Sequence, residues 1–107
     1  MPNVVSTPTH VTVYEPLAPG KIATTSADNL GTHWWLCRVL VPEGFRRQGH
    51  GPRILRLLLA EAWKQDPLPV HVCPGGYGSD PVKLRAWYIQ QGATPLQEKP
   101  PCLQWLP

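Results

Sequence analysis

The sequence predicts a single α+β domain, residues 1–107, and three observations lead to that class. The aromatic and β-branched run THWWLCRVLV, residues 32–41, is typical of a central strand buried on both faces. Residues 52–65, PRILRLLLAEAWKQ, are amphipathic, as expected of a helix that packs on a sheet. From residue 32 onward the predicted order is strand, helix, strand, helix and a last short strand, so helices alternate with the strands on which they can pack.

Strands and turns are predicted for the N-terminal third of the chain. Residues 10–16, HVTVYEP, alternate apolar with polar side chains, which indicates a half-buried strand. Residues 21–26, KIATTS, suggest a second short strand, and residues 26–31, SADNLG, have the composition of a turn. Pro42 has no N–H to donate and is expected to end the central strand.

The rest of the chain supplies the other elements. Pro52 suits the first turn of the long helix, where its missing N–H would have no partner. A short strand is expected at residues 70–73, VHVC, followed by the glycine-rich loop PGGYGS. Ser79 or Asp80 then caps a second helix, PVKLRAWYIQQ, which Gly92 ends in a left-handed conformation. The last strand is expected around residues 103–106.

Composition excludes several classes of protein. The chain is 42% hydrophobic and 16% charged, values typical of a globular protein and not of a disordered one. No apolar run approaches the roughly 20 residues of a membrane span, and no signal peptide is recognised, so we expect a cytoplasmic protein without a membrane partner. Three widely spaced cysteines favour a reduced state, in keeping with that setting.

The junction FRRQGHG, residues 45–51, is the strongest functional signal. Glycines that open a helix expose backbone N–H groups at the positive end of the helix dipole, and Gly49 and Gly51 do so beside three arginines. This pattern predicts an anion site, better suited to a diphosphate than to a single phosphate. The alternative is a flexible loop whose arginines are merely solvated. A basic nucleic-acid-binding domain is disfavoured by the net charge of only +3.

The junction resembles the acetyl-CoA signature of the GNAT superfamily of N-acetyltransferases. Arg46, Gly49 and Gly51 match its spacing of Arg or Gln, two residues, Gly, one residue, and Gly or Ala. Downstream, WYIQQGA resembles the second motif of the family, with Tyr88 and Gly92 in register. The resemblance implies a GNAT-like central mixed sheet flanked by helices. About 30 residues precede the central strand, so the two N-terminal helices of the family are expected to be reduced or absent.

The resemblance also implies an activity, the transfer of an acetyl group from acetyl-CoA to an amine by direct attack. Tyr88 falls on the position of the general acid, although an aromatic residue on such a helix is also typical of a core. The central strand and the junction at residues 45–51, called the glycine corner from here on, would bind the co-substrate. The residues implied are Val39, Leu40, Val41, Arg46, Arg47, Gln48, Gly49, His50, Gly51, Pro52 and Arg53.

Several questions stay open at the level of sequence. The base is His33, His71, Glu43, Glu15 or a water relay, because the central strand has no glutamate. A zinc site from two Cys–His pairs is disfavoured, and no metal is expected. The competing function is a non-catalytic acyl-CoA-binding or interaction module. The sequence does not identify the amine acceptor, and open sheet edges suggest a homodimer.

Overall fold

The computed structural model describes residues 2–75 and 80–107. These residues form seven strands and two helices, in this order: β1 (Asn3–Ser6), β2 (His10–Ala18), β3 (Lys21–Asn29), β4 (Trp34–Leu40), α1 (His50–Gln65), β5 (Val70–Val72), α2 (Pro81–Gln90), β6 (Thr94–Pro95) and β7 (Leu103–Trp105). The predicted glycine-rich loop, residues 74–79, lies partly outside the described residues, and Ser79 lies wholly outside them. Asp80 is the N-cap of α2, which confirms one of the two residues predicted for that position.

One sheet contains all of these strands, in the order β1-β2-β3-β4-β5-β7-β6. Strands β4 and β5 are parallel, and every other neighbouring pair is antiparallel. The sheet is therefore mixed and the fold is α+β, which confirms the predicted class. Helix α1 provides the crossover between the two parallel strands, as a parallel connection requires.

The two parallel strands separate soon after they meet. Their register holds only two pairs, Trp34 with Val70 and Trp35 with His71. Cys37 is an extra residue in β4 relative to β3, because Ser26 pairs with Arg38 while Ala27 pairs with Leu36. Such a bulge bends its strand. The carboxyl half of β4 therefore diverges from β5 and leaves room beside it.

Both helices cover the same face of the sheet. Residues that pair directly across strands share a face, so Trp34, Val70 and Trp105 lie together. The ring of Tyr88, on α2, meets that of Trp105 edge-on. The buried core on this face is formed by Val11, Val13, Ala23, Ala27, Trp34, Leu36, Ile54, Leu55, Leu58, Ala62, Val70, Val72, Tyr88, Ala93, Leu103 and Trp105.

The opposite face of the sheet is not covered by a described helix, which corrects one prediction. Trp34 and Leu36 are buried, but Trp35 is only half-buried and Cys37 is exposed. Strand β4 is thus buried on one face and not on two. Its mainly apolar sequence concealed this difference, because a continuous apolar run does not reveal which of its residues a helix will cover.

Two other predictions need correction. The predicted turn at residues 26–31 is mostly strand, because Asp28 and Asn29 pair with β4 and their side chains hydrogen-bond to neighbouring elements. The cysteines are not all reduced, since Cys73 and Cys102 form a disulfide and only Cys37 is free. Their separation of 29 residues gave no sign of this pairing in the sequence.

Neither described helix is long and apolar enough to cross a membrane.

Candidate functional site: a cleft beside the end of β4

A cleft of about 630 Å³ opens where β4, the glycine corner and the two helices meet. Its volume is in the range of small-molecule sites. The residues that line it are Val39, Leu40, Val41, Phe45, Arg46, Arg47, Gly49, His50, Gly51, Pro52, Leu84 and Trp87. All of the residues predicted to bind the co-substrate are therefore brought together here, except Gln48 and Arg53.

The glycine corner has the backbone geometry of an anion site. Arg47 and Gly49 both have positive φ, 64° and 83°, and Gly49 is the N-cap of α1. No side chain caps this helix. Within the described ranges, nothing accepts a hydrogen bond from the N–H groups of Gly49, His50 and Gly51, and the first helical bond is Arg53 N–H to Gly49 C=O. Such concave, unsatisfied backbone favours an anionic group.

The two glycines serve different purposes. At Gly51 a Cβ atom would lie 3.2 Å from Cζ2 of Trp87, so the missing side chain allows α1 to approach α2 closely. A Cβ atom at Gly49 would meet nothing within 4 Å. Glycine is favoured there because of its positive φ, which other residues adopt only at a cost.

The arginines do not plug the corner. Arg46 donates from Nε to the Val41 carbonyl at 3.0 Å, which fastens the loop to the end of β4. The Arg46 and Arg47 side chains are exposed and line the cleft. Gln48 instead reaches back to the Gly44 carbonyl, and Arg53 turns toward β2. Positive charge therefore surrounds the open amides without filling the space before them.

A buried carboxylate lies behind the corner. Glu15, on β2, accepts hydrogen bonds from Arg53 at 2.6 Å and from His50 Nδ1 at 2.8 Å. Burial alone would raise the pKa of Glu15, but the hydrogen bonds and positive charges of Arg53 and His50 outweigh it, and the pKa lies below its usual value. Glu15 is thus an ion-paired group and not a free base.

Tyr88 belongs to the core. Its ring makes edge contacts with Trp87 and Trp105, and 2% of the residue is exposed. Burial raises the pKa of Tyr88 to about 12. The preceding residue, Trp87, lines the cleft instead, together with Leu84. Their spacing of three residues on one helix face was the available sequence signal for this wall.

None of the remaining candidate bases lines the cleft. His33 and His71 stack with their ring centroids 4.1 Å apart, and desolvation, then the charges of His33 and Lys99, lowers the pKa of His71. Glu43 is exposed in a second, more open groove. The zinc alternative loses a ligand because Cys73 is in the disulfide, and among described residues no three metal-binding side chains cluster.

No family model matches the sequence, and no curated protein matches it either. Solved structures do match the fold. A protein described as a putative acyl-CoA N-acyltransferase, from Klebsiella pneumoniae subsp. pneumoniae MGH 78578, aligns with a TM-score of 0.66 at 18% identity, over 90% of this chain and 70% of that one. GCN5 from Tetrahymena aligns with a TM-score of 0.65 at 14% identity, over 87% of this chain and 56% of that one.

The anti-CRISPR protein AcrVA5 is similar in size as well as in fold. It aligns with a TM-score of 0.66 at 13% identity, over 88% of this chain and 97% of that one. Together these likenesses establish that the chain has a GNAT-like fold, as the two sequence motifs implied. At such low identities they establish the fold alone.

Proposed function

We propose that the protein is an N-acetyltransferase that binds acetyl-CoA in the cleft and transfers its acetyl group directly to an amine. The observation that carries the proposal is the uncapped N-terminus of α1, whose open amides face a cleft of suitable volume within a GNAT-like fold. Acetyl-CoA supplies an activated acetyl thioester and a diphosphate. The amides of residues 47–51 and the Arg46 and Arg47 side chains fit the diphosphate.

The end of β4 would position the rest of the molecule. Val39, Leu40 and Val41 line the cleft where β4 has separated from β5, so their backbone groups can pair with the amides of the pantetheine arm. The same separation admits the thioester between the strands. Backbone N–H groups in this gap would stabilise the negative charge that develops on the carbonyl oxygen during attack.

Tyr88 is proposed to return a proton to the departing thiolate. Its raised pKa keeps the phenol protonated at neutral pH, which is the state a proton donor needs. Tyr88 does not line the cleft, so this role requires the hydroxyl to become accessible to the sulfur when the co-substrate binds. Tyr88→Phe should then reduce the rate of transfer by about 100-fold, the smaller end of typical acid catalysis, with little change in CoA affinity.

The amine is proposed to enter through the second groove. This groove shares Leu40, Val41 and Arg46 with the first cleft, so the two meet at the end of β4. It also contains the carboxylate of Glu43, which would attract an ammonium group and accept its proton directly or through water. The chemical class of the acceptor beyond an amine is not specified by these residues.

A titration of CoA, followed by melting temperature and tryptophan fluorescence, tests the binding site. Saturating CoA at about 100 times Kd should stabilise the fold by about 2.7 kcal/mol, because it binds only the folded state. Gly49→Asp places a negative charge at the corner and should weaken binding at least ten-fold. Gly31→Asp is the matched control, since Gly31 also has positive φ but does not line the cleft. No stabilisation of the wild type at millimolar CoA would refute the proposal.

A non-catalytic CoA-binding module is the second candidate, favoured by the absence of a carboxylate on β4 and of a described helix over one face of the sheet. Acetyl transfer to a panel of amines and peptides separates the two functions. CoA binding without transfer to any of them would favour the module.

The cytoplasm is proposed as the site of action, and the disulfide allows a test. Cytoplasmic thiols are normally kept reduced, so alkylation of cell extracts should label Cys73 and Cys102 there if the proposal is right. Labelling of Cys37 alone would place the protein in an oxidising compartment.

A homodimer is proposed for the sheet edges. Strand β1 is an edge strand with exposed Val4 and Val5, the kind of edge that pairs with a second chain. Light scattering should give twice the mass of the 107-residue chain, and Val5→Lys should halve it.

A further inference from the structure

The second groove lies on the face of the sheet that no described helix covers. Tyr14 pairs with Thr24, and Thr24 pairs with Leu40, so these three side chains form one row across that face. All three line the groove. Its volume is about 760 Å³, which is in the range of small-molecule sites. The groove is therefore large enough to hold a small acceptor.

Two large apolar side chains are exposed in this groove. Ile22 is 48% exposed and Leu40 is 38% exposed, and both line it. Leu40 also lines the cleft, so the apolar surface continues toward the proposed position of the thioester. Apolar side chains are better covered than left in water, and a ligand with an aliphatic part would cover these two.

Charges of opposite sign flank the apolar surface. Lys21 begins β3 and Glu43 follows the end of β4, and both are exposed and line the groove. Within the described part of the chain, neither forms an ion pair. Arg46 adds a second positive charge, although its Nε already donates to the Val41 carbonyl. Positive charge thus exceeds negative charge in the groove, which disfavours a polycationic acceptor.

We propose that the acceptor is a small α-amino acid with an aliphatic side chain. Lys21 would bind its carboxylate, and Glu43 its ammonium group. Its side chain would cover Ile22 and Leu40. The inference rests on the proposed function, because the groove is the proposed entry of the amine. A polyamine offers no anion to Lys21, and a simple alkylamine leaves that charge unpaired.

The transfer requires no further reactant. The ammonium group first loses a proton to Glu43, and the free amine then attacks the carbonyl carbon of the acetyl group. The C–N bond forms and the C–S bond breaks. The second proton that the nitrogen loses balances the one that Tyr88 gives to the departing thiolate. The products are the N-acetylamino acid, CoA and one proton, which Glu43 returns to solvent.

The test measures the rate of CoA release from acetyl-CoA with amines that share one aliphatic part. The series is L-leucine, leucinamide, 3-methylbutylamine and leucylglycine, and only leucine has a carboxylate on the carbon that bears the amine. Its kcat/KM should exceed that of 3-methylbutylamine by about ten-fold, as expected of one hydrogen bond between charged groups. Leucinamide and leucylglycine should also be poorer than leucine, and spermidine, a polycation, should be the poorest.

Variants of Lys21 separate recognition of the carboxylate from a general effect on the fold. Lys21→Gln should raise the KM for leucine about ten-fold but leave the KM for 3-methylbutylamine unchanged, because only leucine has an anion to lose. Lys21→Arg keeps the charge and should restore most of the affinity for leucine. Lys83→Gln is the matched control, since Lys83 is an exposed lysine of α2 that lines neither the cleft nor the groove.

Ile22→Ser tests the apolar part of the proposal independently. This change should raise the KM for leucine and for 3-methylbutylamine by about five-fold each, through lost apolar contact. The KM for glycine, which has no side chain, should not change. Both Lys21 and Ile22 are exposed, so these variants should keep the wild-type melting temperature.

The outcomes are distinguishable. Equal kcat/KM for leucine and 3-methylbutylamine, or a preference for leucylglycine or spermidine, would overturn this inference and leave the proposed function intact. A KM for leucine that Lys21→Gln does not change would overturn it as well. Absence of transfer to every amine, in this series and in the wider panel, would overturn both the inference and the proposed transferase activity.

Discussion

The two helices pack on the same face of one sheet, yet they are held in place by different means. Helix α1 has 16 residues and buries Gly51, Ile54, Leu55, Leu58 and Ala62. Helix α2 has 10 residues and buries only Tyr88. Their N-termini differ as well, since no side chain caps α1. At α2, by contrast, the Asp80 carboxylate accepts from the N–H groups of Val82 and Lys83.

This difference shows how one helix end can be kept open for a ligand. Packing against the sheet fixes α1 so firmly that its first turn can do without a cap, and the open amides face the cleft. Helix α2 has little buried surface and depends on its cap. It also lies inside the loop closed by Cys73 and Cys102, which restricts the unfolded chain around it.

The largest expected effect is on the packing of α1. Leu58 is completely buried, so Leu58→Ala should lower the free energy of unfolding by about 3.5 kcal/mol through lost burial and a cavity. On α2, Ile89 is 41% exposed, and Ile89→Ala should cost less than about 1 kcal/mol. Urea unfolding followed by tryptophan fluorescence measures both. Equal losses would contradict the view that packing anchors α1 more strongly.

A slightly smaller effect is expected from the disulfide. The double variant Cys73→Ser and Cys102→Ser should lose about 3 kcal/mol of stability, because the unfolded chain gains conformational freedom. Urea unfolding is again the measurement, and hydrogen exchange should show greater loss of protection in α2 than in α1. Cys37→Ser is the control and should keep wild-type stability, since Cys37 is free and exposed. Greater loss of protection in α1 would count against this account.

The smallest effect concerns the caps themselves. Asp80→Ala removes the hydrogen bonds to the first turn of α2 and should cost about 1 kcal/mol, while Asp80→Asn retains an acceptor and should cost less. Neither change should alter CoA affinity, because Asp80 does not line the cleft. The melting temperature and a CoA titration together check both statements. A marked loss of CoA binding in Asp80→Ala would break the distinction between the two helix ends.

Much of the local structure could be predicted from the sequence. The alternation at residues 10–16 corresponds to β2, and the amphipathic run at residues 52–65 corresponds to α1, which begins two residues earlier at His50. The positive φ of Gly49 and of Gly92 agrees with their predicted places at helix ends. Strand β1 was not predicted, because four residues with two adjacent valines show no period that separates a strand from a loop.

The lining of the candidate cleft was predictable only where its residues are close together in the sequence. The residues predicted to bind acetyl-CoA lie mostly in one continuous stretch, and the structure places nearly all of them on one cleft. The sequence pointed to Tyr88 as the residue that α2 contributes to the site. In the structure Trp87 lines the cleft, whereas Tyr88, the next residue, is buried in the core. Neighbouring residues on a helix point about 100° apart, so the choice depends on how α2 is rotated against the sheet.

The sequence by itself determined the periods of the strands and helices, the glycine corner and its charge, because these follow from φ/ψ preferences and side-chain spacing within a few residues. Tertiary structure alone decided that Glu15 meets His50 across 35 residues, that Cys73 bonds to Cys102, and that no described helix covers one face of the sheet. Contacts between distant segments depend on how whole elements pack, and no local preference encodes that arrangement.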